Sequence, residues 1–281
     1  MAGTKKKTSR TKSSRARATP RSAAGDLTQG VIVVLSGGGF DGMNPREVRD
    51  RMDQYIVDVN ADPFVQANTG GNGLTFRLLT NQQTRHLHQT KWRQICDALR
   101  LLTATPLILV GHSNGGAAVM NLARCLQSQG KSVDLAFTAD SVLTLDDIGD
   151  INKVPPNVKL NFNPYIIPTP AWLLAPFPIG LRNRRQVDNS VDGILNIGLT
   201  YNLPGALAHR NAFYELAGGD KTAGGSYKLP RLLLEVTLAV LGGGTNYDVI
   251  HAAEPLLQTL ATKSRIDIKL ETTAFQKTLR P

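Results

Sequence analysis

The sequence predicts an α/β protein: a mostly parallel sheet with helices on both faces. Three observations predict it. Short runs such as GVIVVL (30–35) and PLILVG (106–111) are apolar at consecutive positions, as in strands buried on both faces. Longer stretches between them carry apolar residues three and four apart, the spacing of a helix with one buried stripe. The two patterns alternate from residue 30 to about 165, the rhythm of strand, crossover helix and parallel strand.

Taken in order, residues 30–40 (GVIVVLSGGGF) read as a buried strand ending in a glycine triplet. Asn44-Pro45 is a helix-start signal for 44–60, where Val48, Met52, Ile56 and Val57 recur at helical spacing. An Asn- and Gly-rich loop (67–73) leads to a strand over 74–80 and a helix over 84–103. The strand 106–111 is followed by a helix from about 115 to 129, a strand over 132–140 and another over 157–164. From 165 to 205 the rhythm breaks, because YIIPTPAWLLAPFPIGL is apolar but too rich in proline for a regular helix. That insertion reads equally as a cap or lid beside a site and as a buried connecting loop. Helical patterns return at 206–217 and 229–240, then a final helix at 252–263 and a last strand at 265–270.

With 281 residues, 41% of them hydrophobic, the chain suits one large domain over 28–281 behind a tail over 1–27. Lys5, Lys6, Lys7, Arg10, Lys12, Arg15, Arg17 and Arg21 supply eight of the ten net positive charges, with no acid among the first 25 residues. The rest is therefore nearly neutral. The tail, without aromatic or aliphatic runs, is expected to be disordered. It suits an anionic surface or polyanion, or is simply a tolerated solubilising tail. No recognition motif supports sequence-specific nucleic-acid binding. The start lacks the apolar core of a Sec signal peptide, and prolines and charges interrupt every apolar run that could span a bilayer. Cys96 and Cys125 fall in helical patterns and read as reduced core thiols, which suits a cytoplasmic protein or one delivered without a Sec signal.

The informative stretch is LILVGHSNGGAAV (107–119), in which Gly111, Ser113 and Gly115 fit G-x-S-x-G between an aliphatic strand and an Ala-rich helix. A serine on such a strand-to-helix corner needs tiny neighbours. Its hydroxyl is lifted clear of the sheet, and the next N–H, that of Asn114, opens a helix N-terminus able to stabilise an oxyanion. On these residues the chain resembles the α/β-hydrolase superfamily, in particular its serine esterases and lipases, over the element order of most of 30–265.

The resemblance implies a second oxyanion donor in the loop after an early strand. LSGGGFDG (35–42) stands there, and the backbone of Gly39 or Phe40 fits. It also implies the chain order serine, acid, histidine. Asp140 ends the strand after the nucleophile helix, whereas the next strand ends in LNFNPY, with Asn163 where many relatives carry the acid. A turn-capping role for Asp140 is the competing reading. Of five histidines, His112 lies within the corner, and His86 and His88 precede the serine on a helical pattern. That leaves His251, just before the last helix, as the preferred base and His209 as the reserve. No metal-ligand spacing or cofactor fingerprint is present, and the chemistry needs neither. The expectation is a Ser113, Asp140, His251 triad cleaving a small-molecule or lipid ester through an acyl-enzyme. Trp172, Leu173, Leu174 and Phe177 in the insertion favour an apolar acyl group. The alternative is a non-catalytic protein of the same fold that docks to an anionic partner through its tail.

Overall fold

A computed structural model describes residues 26–35, 45–79, 88–141, 153–167, 192–201 and 232–281. Residues 1–25 of the expected tail, the glycine triplet with Gly39 and Phe40, the apolar part of the insertion with Trp172 and Phe177, and His209 lie outside the described residues, whereas Leu27, placed in the tail, is buried in the core.

Eight strands form one sheet in the order β2-β1-β3-β4-β5-β6-β7-β8. They are β1 (Val31–Leu35), β2 (Thr75–Leu79), β3 (Leu107–His112), β4 (Leu135–Ala139), β5 (Asn161–Ile166), β6 (Ile194–Thr200), β7 (Asp267–Glu271) and β8 (Gln276–Leu279). The first six are mutually parallel, and β7 and β8 add two antiparallel strands at one edge. The predicted class is therefore the observed one. The described helices are α1 (Pro45–Ala61), α2 (Pro63–Asn68), α3 (His88–Arg100), α4 (Asn114–Ser128), α5 (Leu232–Leu241) and α6 (Asn246–Ser264).

Strand alternation explains the unbroken apolar runs. Ile32 and Val34 of β1 and Ile108 and Val110 of β3 face one core, with Tyr55 and Val59 of α1, Val236 of α5 and Leu257 of α6. Val31, Val33 and Leu35, with Leu107 and Leu109, face the other, with Leu99 of α3 and Val119 and Leu122 of α4. Each strand thus fills two cores, which no amphipathic pattern could do.

Three expectations are corrected. Residues 194–200, assigned to the insertion, are β6, a buried strand between β5 and β7, whose aliphatic run is interrupted by Asn196 and Gly198. The last helix starts at Asn246 rather than 252, because Thr245 and Asp248 form a capping box: the Thr245 hydroxyl and N–H both donate to the Asp248 carboxylate, at 2.7 and 2.8 Å. Cys96 and Cys125, expected as reduced thiols, are joined in a disulfide between α3 and α4. Two helices packed side by side brought together cysteines that are 29 residues apart in sequence. Among the described residues no helix is long and apolar enough to cross a membrane.

Candidate active site

The strand order reverses direction between β1 and β3. In open parallel sheets the crevice at the carboxyl ends of the strands flanking such a reversal is where ligands bind. The glycine triplet follows β1 in sequence, and Ser113 follows β3.

Ser113 has φ 56° and ψ −128°, a conformation that a side chain rarely adopts. It is 7% exposed. Its N–H donates to the Ala139 carbonyl (3.0 Å), and its carbonyl accepts from Gly116 N–H (2.9 Å) to close the first turn of α4. The turn is so tight that a Cβ on Gly111 would lie 2.4 Å from the Gly115 carbonyl oxygen. Glycine at 111 is thus required by the close approach of strand and helix. The Ser113 side chain does not cap α4, and no acidic residue occupies its first turn. The leading N–H groups, that of Asn114 among them, have no acceptor four residues back, so the positive end of the helix is presented beside the serine.

Asp140 follows β4 on the same sheet edge as Ser113, with φ 39° and 1% exposure. Its N–H donates to the Pro164 carbonyl (2.7 Å), and its Oδ1 accepts from the Ile166 N–H (3.1 Å). Both ends of the residue are fixed to β5. These two bonds form a tertiary anchor across the sheet. The backbone bond from Ser113 to Ala139 couples the two positions directly.

Beneath this edge lies a polar ladder that the sequence did not announce. Asn163, noted only as the missing acid, accepts from Thr138 Oγ1 (3.1 Å) and donates to Asn196 Oδ1 (2.8 Å), crossing β4, β5 and β6. Asn161 donates to the Ala136 carbonyl (2.8 Å) and to Thr138 Oγ1 (3.2 Å). All four side chains are buried. Tyr165 donates to Glu271 on β7 (3.1 Å), and burial, then the nearby carboxylate, push its phenol well above its usual range, so it remains an O–H donor. The only advance signal was the spacing of Asn161, Asn163 and Tyr165, which puts all three on one strand face.

His251 is not brought to Ser113. It is an exposed residue in the second turn of α6, with the ring of Tyr247 edge-on at 4.2 Å. The start of α6, through Thr245, Asn246, Tyr247 and Ile250, lines a cavity of about 410 Å³ with Leu160, Gly193 and Ile194. Those last residues stand at the amino ends of β5 and β6, whereas Ser113 is at the carboxyl end of β3. Roughly the length of a strand, about 20 Å, separates the two edges. The physical reason is the capping box, which folds His251 into a helix instead of leaving it on a loop. Asp248 is the partner of Thr245 in that box, and hydrogen bonds from the Thr245 side chain and backbone hold its carboxyl below its usual range, with His251 a smaller influence. His112 is buried at the end of β3. His209 belongs to the connection between β6 and α5, outside the described residues. Among the described residues no group of three or more His, Cys, Asp and Glu could hold a metal ion.

No family model matches the chain, and no curated protein matches it. Among solved structures, the type II thioesterase BorB from the borrelidin biosynthetic cluster aligns at 14% identity with a TM-score of 0.28. The alignment covers 49% of this chain and 56% of that one, so the chain spans little more than half of the thioesterase.

Proposed function

We propose that the chain is a serine hydrolase cleaving a carboxylic ester through an acyl-enzyme, with Ser113 as nucleophile, Asp140 as acid and His209 as base. The observation that carries this reading is the backbone of Ser113. A non-glycine residue at φ 56° and ψ −128° costs on the order of 1–3 kcal/mol and persists only where the surroundings impose it. Its effect here is to stand a hydroxyl at the head of an uncapped helix, one strand from a buried carboxylate.

The choice of His209 over His251 rests on topology. β6 is parallel to β3, so the chain leaves β6 at the carboxyl edge, where Ser113 lies. Three strand spacings, about 14 Å, separate β6 from β3. Eight residues from Tyr201 to His209 extend to about 26 Å at most, so the imidazole is within reach. His251 would need to cross the whole sheet.

In the first half-reaction His209 takes the Ser113 proton as Oγ attacks the ester carbonyl carbon. Asp140 fixes the imidazole tautomer and stabilises its cation. The Asn114 N–H and a backbone N–H from Gly39 or Phe40 hold the oxyanion. The imidazolium then protonates the leaving alcohol, and water repeats the sequence on the acyl group.

The test is turnover of p-nitrophenyl butyrate together with labelling by a fluorophosphonate. Ser113→Ala and His209→Ala should each lower turnover by about 10⁴-fold or more in folded protein. His251→Ala should leave it within about twofold, as a surface change does. If the wild type neither turns over the ester nor labels at Ser113, the enzyme reading is lost. If His251→Ala abolishes turnover and His209→Ala does not, the assignment of the base is wrong.

A further inference from the structure

The disulfide lies on the face that carries the nucleophile helix. Cys96 is fully buried on α3, and Cys125, on α4, is only partly so. Their 29-residue separation closes a loop that contains the end of α3, all of β3, Ser113 and most of α4. The bridge therefore ties together the two chain segments that enter and leave the strained serine.

Gln129, the residue that ends α4, completes the arrangement. Its Nε2 lies 3.1 Å from Cys96 Sγ and 3.9 Å from Cys125 Sγ, as a donor to the bridge. Its Oε1 is buried and has no hydrogen-bond partner. A buried amide oxygen without a donor is costly, and a disulfide offers none. Two thiols would: each S–H is a donor, and a half-turn of the amide brings Oε1 to face it. The dithiol thus offers the amide oxygen a donor that the disulfide lacks.

From these observations the geometry points to the Cys96–Cys125 pair, with Gln129, as a thiol–disulfide control on the Ser113 elbow, whose catalytic part rests on the serine hydrolase reading above. An external dithiol attacks the more accessible Cys125 Sγ as its thiolate, and the S–S bond breaks. Cys96 leaves as a thiolate that takes up a proton. The second thiol of the reductant then expels Cys125 and becomes the cyclic disulfide, so two electrons pass to the protein. Two thiols cannot remain at bonding distance, and with Cys96 fully buried in a packed core the separating sulfurs press α3 against α4. The contact of Gly111 with Gly115 leaves no slack between β3 and α4, and a displaced α4 carries Ser113 out of position.

The experiment uses the full chain, oxidised, then equilibrated across ratios of reduced to oxidised dithiothreitol. Free thiols, fluorophosphonate labelling rate and circular dichroism are read at each ratio. Labelling should fall about tenfold or more as two thiols appear, with the circular dichroism kept, and should recover on reoxidation. Cys96→Ala/Cys125→Ala should label at the reduced rate and ignore the reductant. Gln129→Leu, which removes the orphan oxygen, should require a more reducing ratio for half-reduction. The proposal is overturned if oxidised and reduced protein label equally, if no bridge forms under oxidant, or if labelling and circular dichroism are lost together, which would make the bridge a structural staple only. An unmoved Gln129→Leu midpoint overturns the part assigned to the amide. If neither redox form labels, the hydrolase reading fails and takes catalytic control with it, while the thiol titration still reports on the bridge.

Discussion

The two edges of the sheet solve the same problem in opposite ways. At the amino edge, where chains turn into strands, positive φ is given to glycine: Gly73 before β2, Gly130 before β4 and Gly193 before β6. At the carboxyl edge the described residues with positive φ are Ser113, Asp140 and Arg265, none a glycine. Arg265, at φ 53° and ψ 49°, is an ordinary left-handed helix cap. Ser113 at ψ −128° has no such excuse. The amino edge is therefore built for stability. The carboxyl edge instead holds side chains at positive φ at Ser113 and Asp140, the two positions that the proposed reaction uses as hydroxyl and carboxylate.

That contrast can be broken from either side. The largest effect is expected at Gly193, which has φ 86° and where a Cβ would lie 2.2 Å from the Lys159 carbonyl oxygen. Gly193→Ala adds backbone strain to overpacking against backbone that cannot yield, and should cost about 3–5 kcal/mol by urea denaturation. A loss under 1 kcal/mol would mean that the amino edge does not depend on its glycines.

Next comes the bridge on the elbow's loop. Cys96→Ala/Cys125→Ala, unfolded under non-reducing conditions, should lose about 3–4 kcal/mol from loop-closure entropy over its 29-residue span. The measurement is the denaturation midpoint against oxidised wild type. An unchanged midpoint would show that the elbow needs no covalent support.

The smallest effect has the opposite sign. Ser113→Gly relieves the backbone, and although glycine adds unfolded-state entropy, the variant should be more stable by about 1 kcal/mol while losing all turnover. Scanning calorimetry beside the ester assay reads both. A destabilised Ser113→Gly would remove the claim that strain is stored there.

Legibility in the sequence followed the range of the interactions. β1, β3 and β4 were readable because burial on both faces leaves a continuous apolar run, and the elbow because G-x-S-x-G records a contact between residues four apart. β6 was missed because its Asn196 and Gly198 interrupt the run; its partners for those positions, Asn163 and the Tyr165–Ile167 turn of chain, come from another strand. The start of α6 was misplaced although its signal, Thr245 three residues before Asp248, is local and was available. With the helix starting at Asn246, His251 lies in its second turn rather than on a loop.

The sequence by itself determined the α/β class, the buried strands, the strained corner at Ser113 and the concentration of charge in the first 25 residues. All of these depend on neighbours along the chain, whose spacing fixes periodicity, backbone sterics and composition. The tertiary structure alone decided that Asp140 is pinned to β5, that His251 stands at the opposite edge, that Cys96 meets Cys125, and that Asn163 joins a ladder with Asn196. Each is a contact between residues that a one-dimensional pattern does not relate, made when strand order and helix packing bring distant segments within bonding distance.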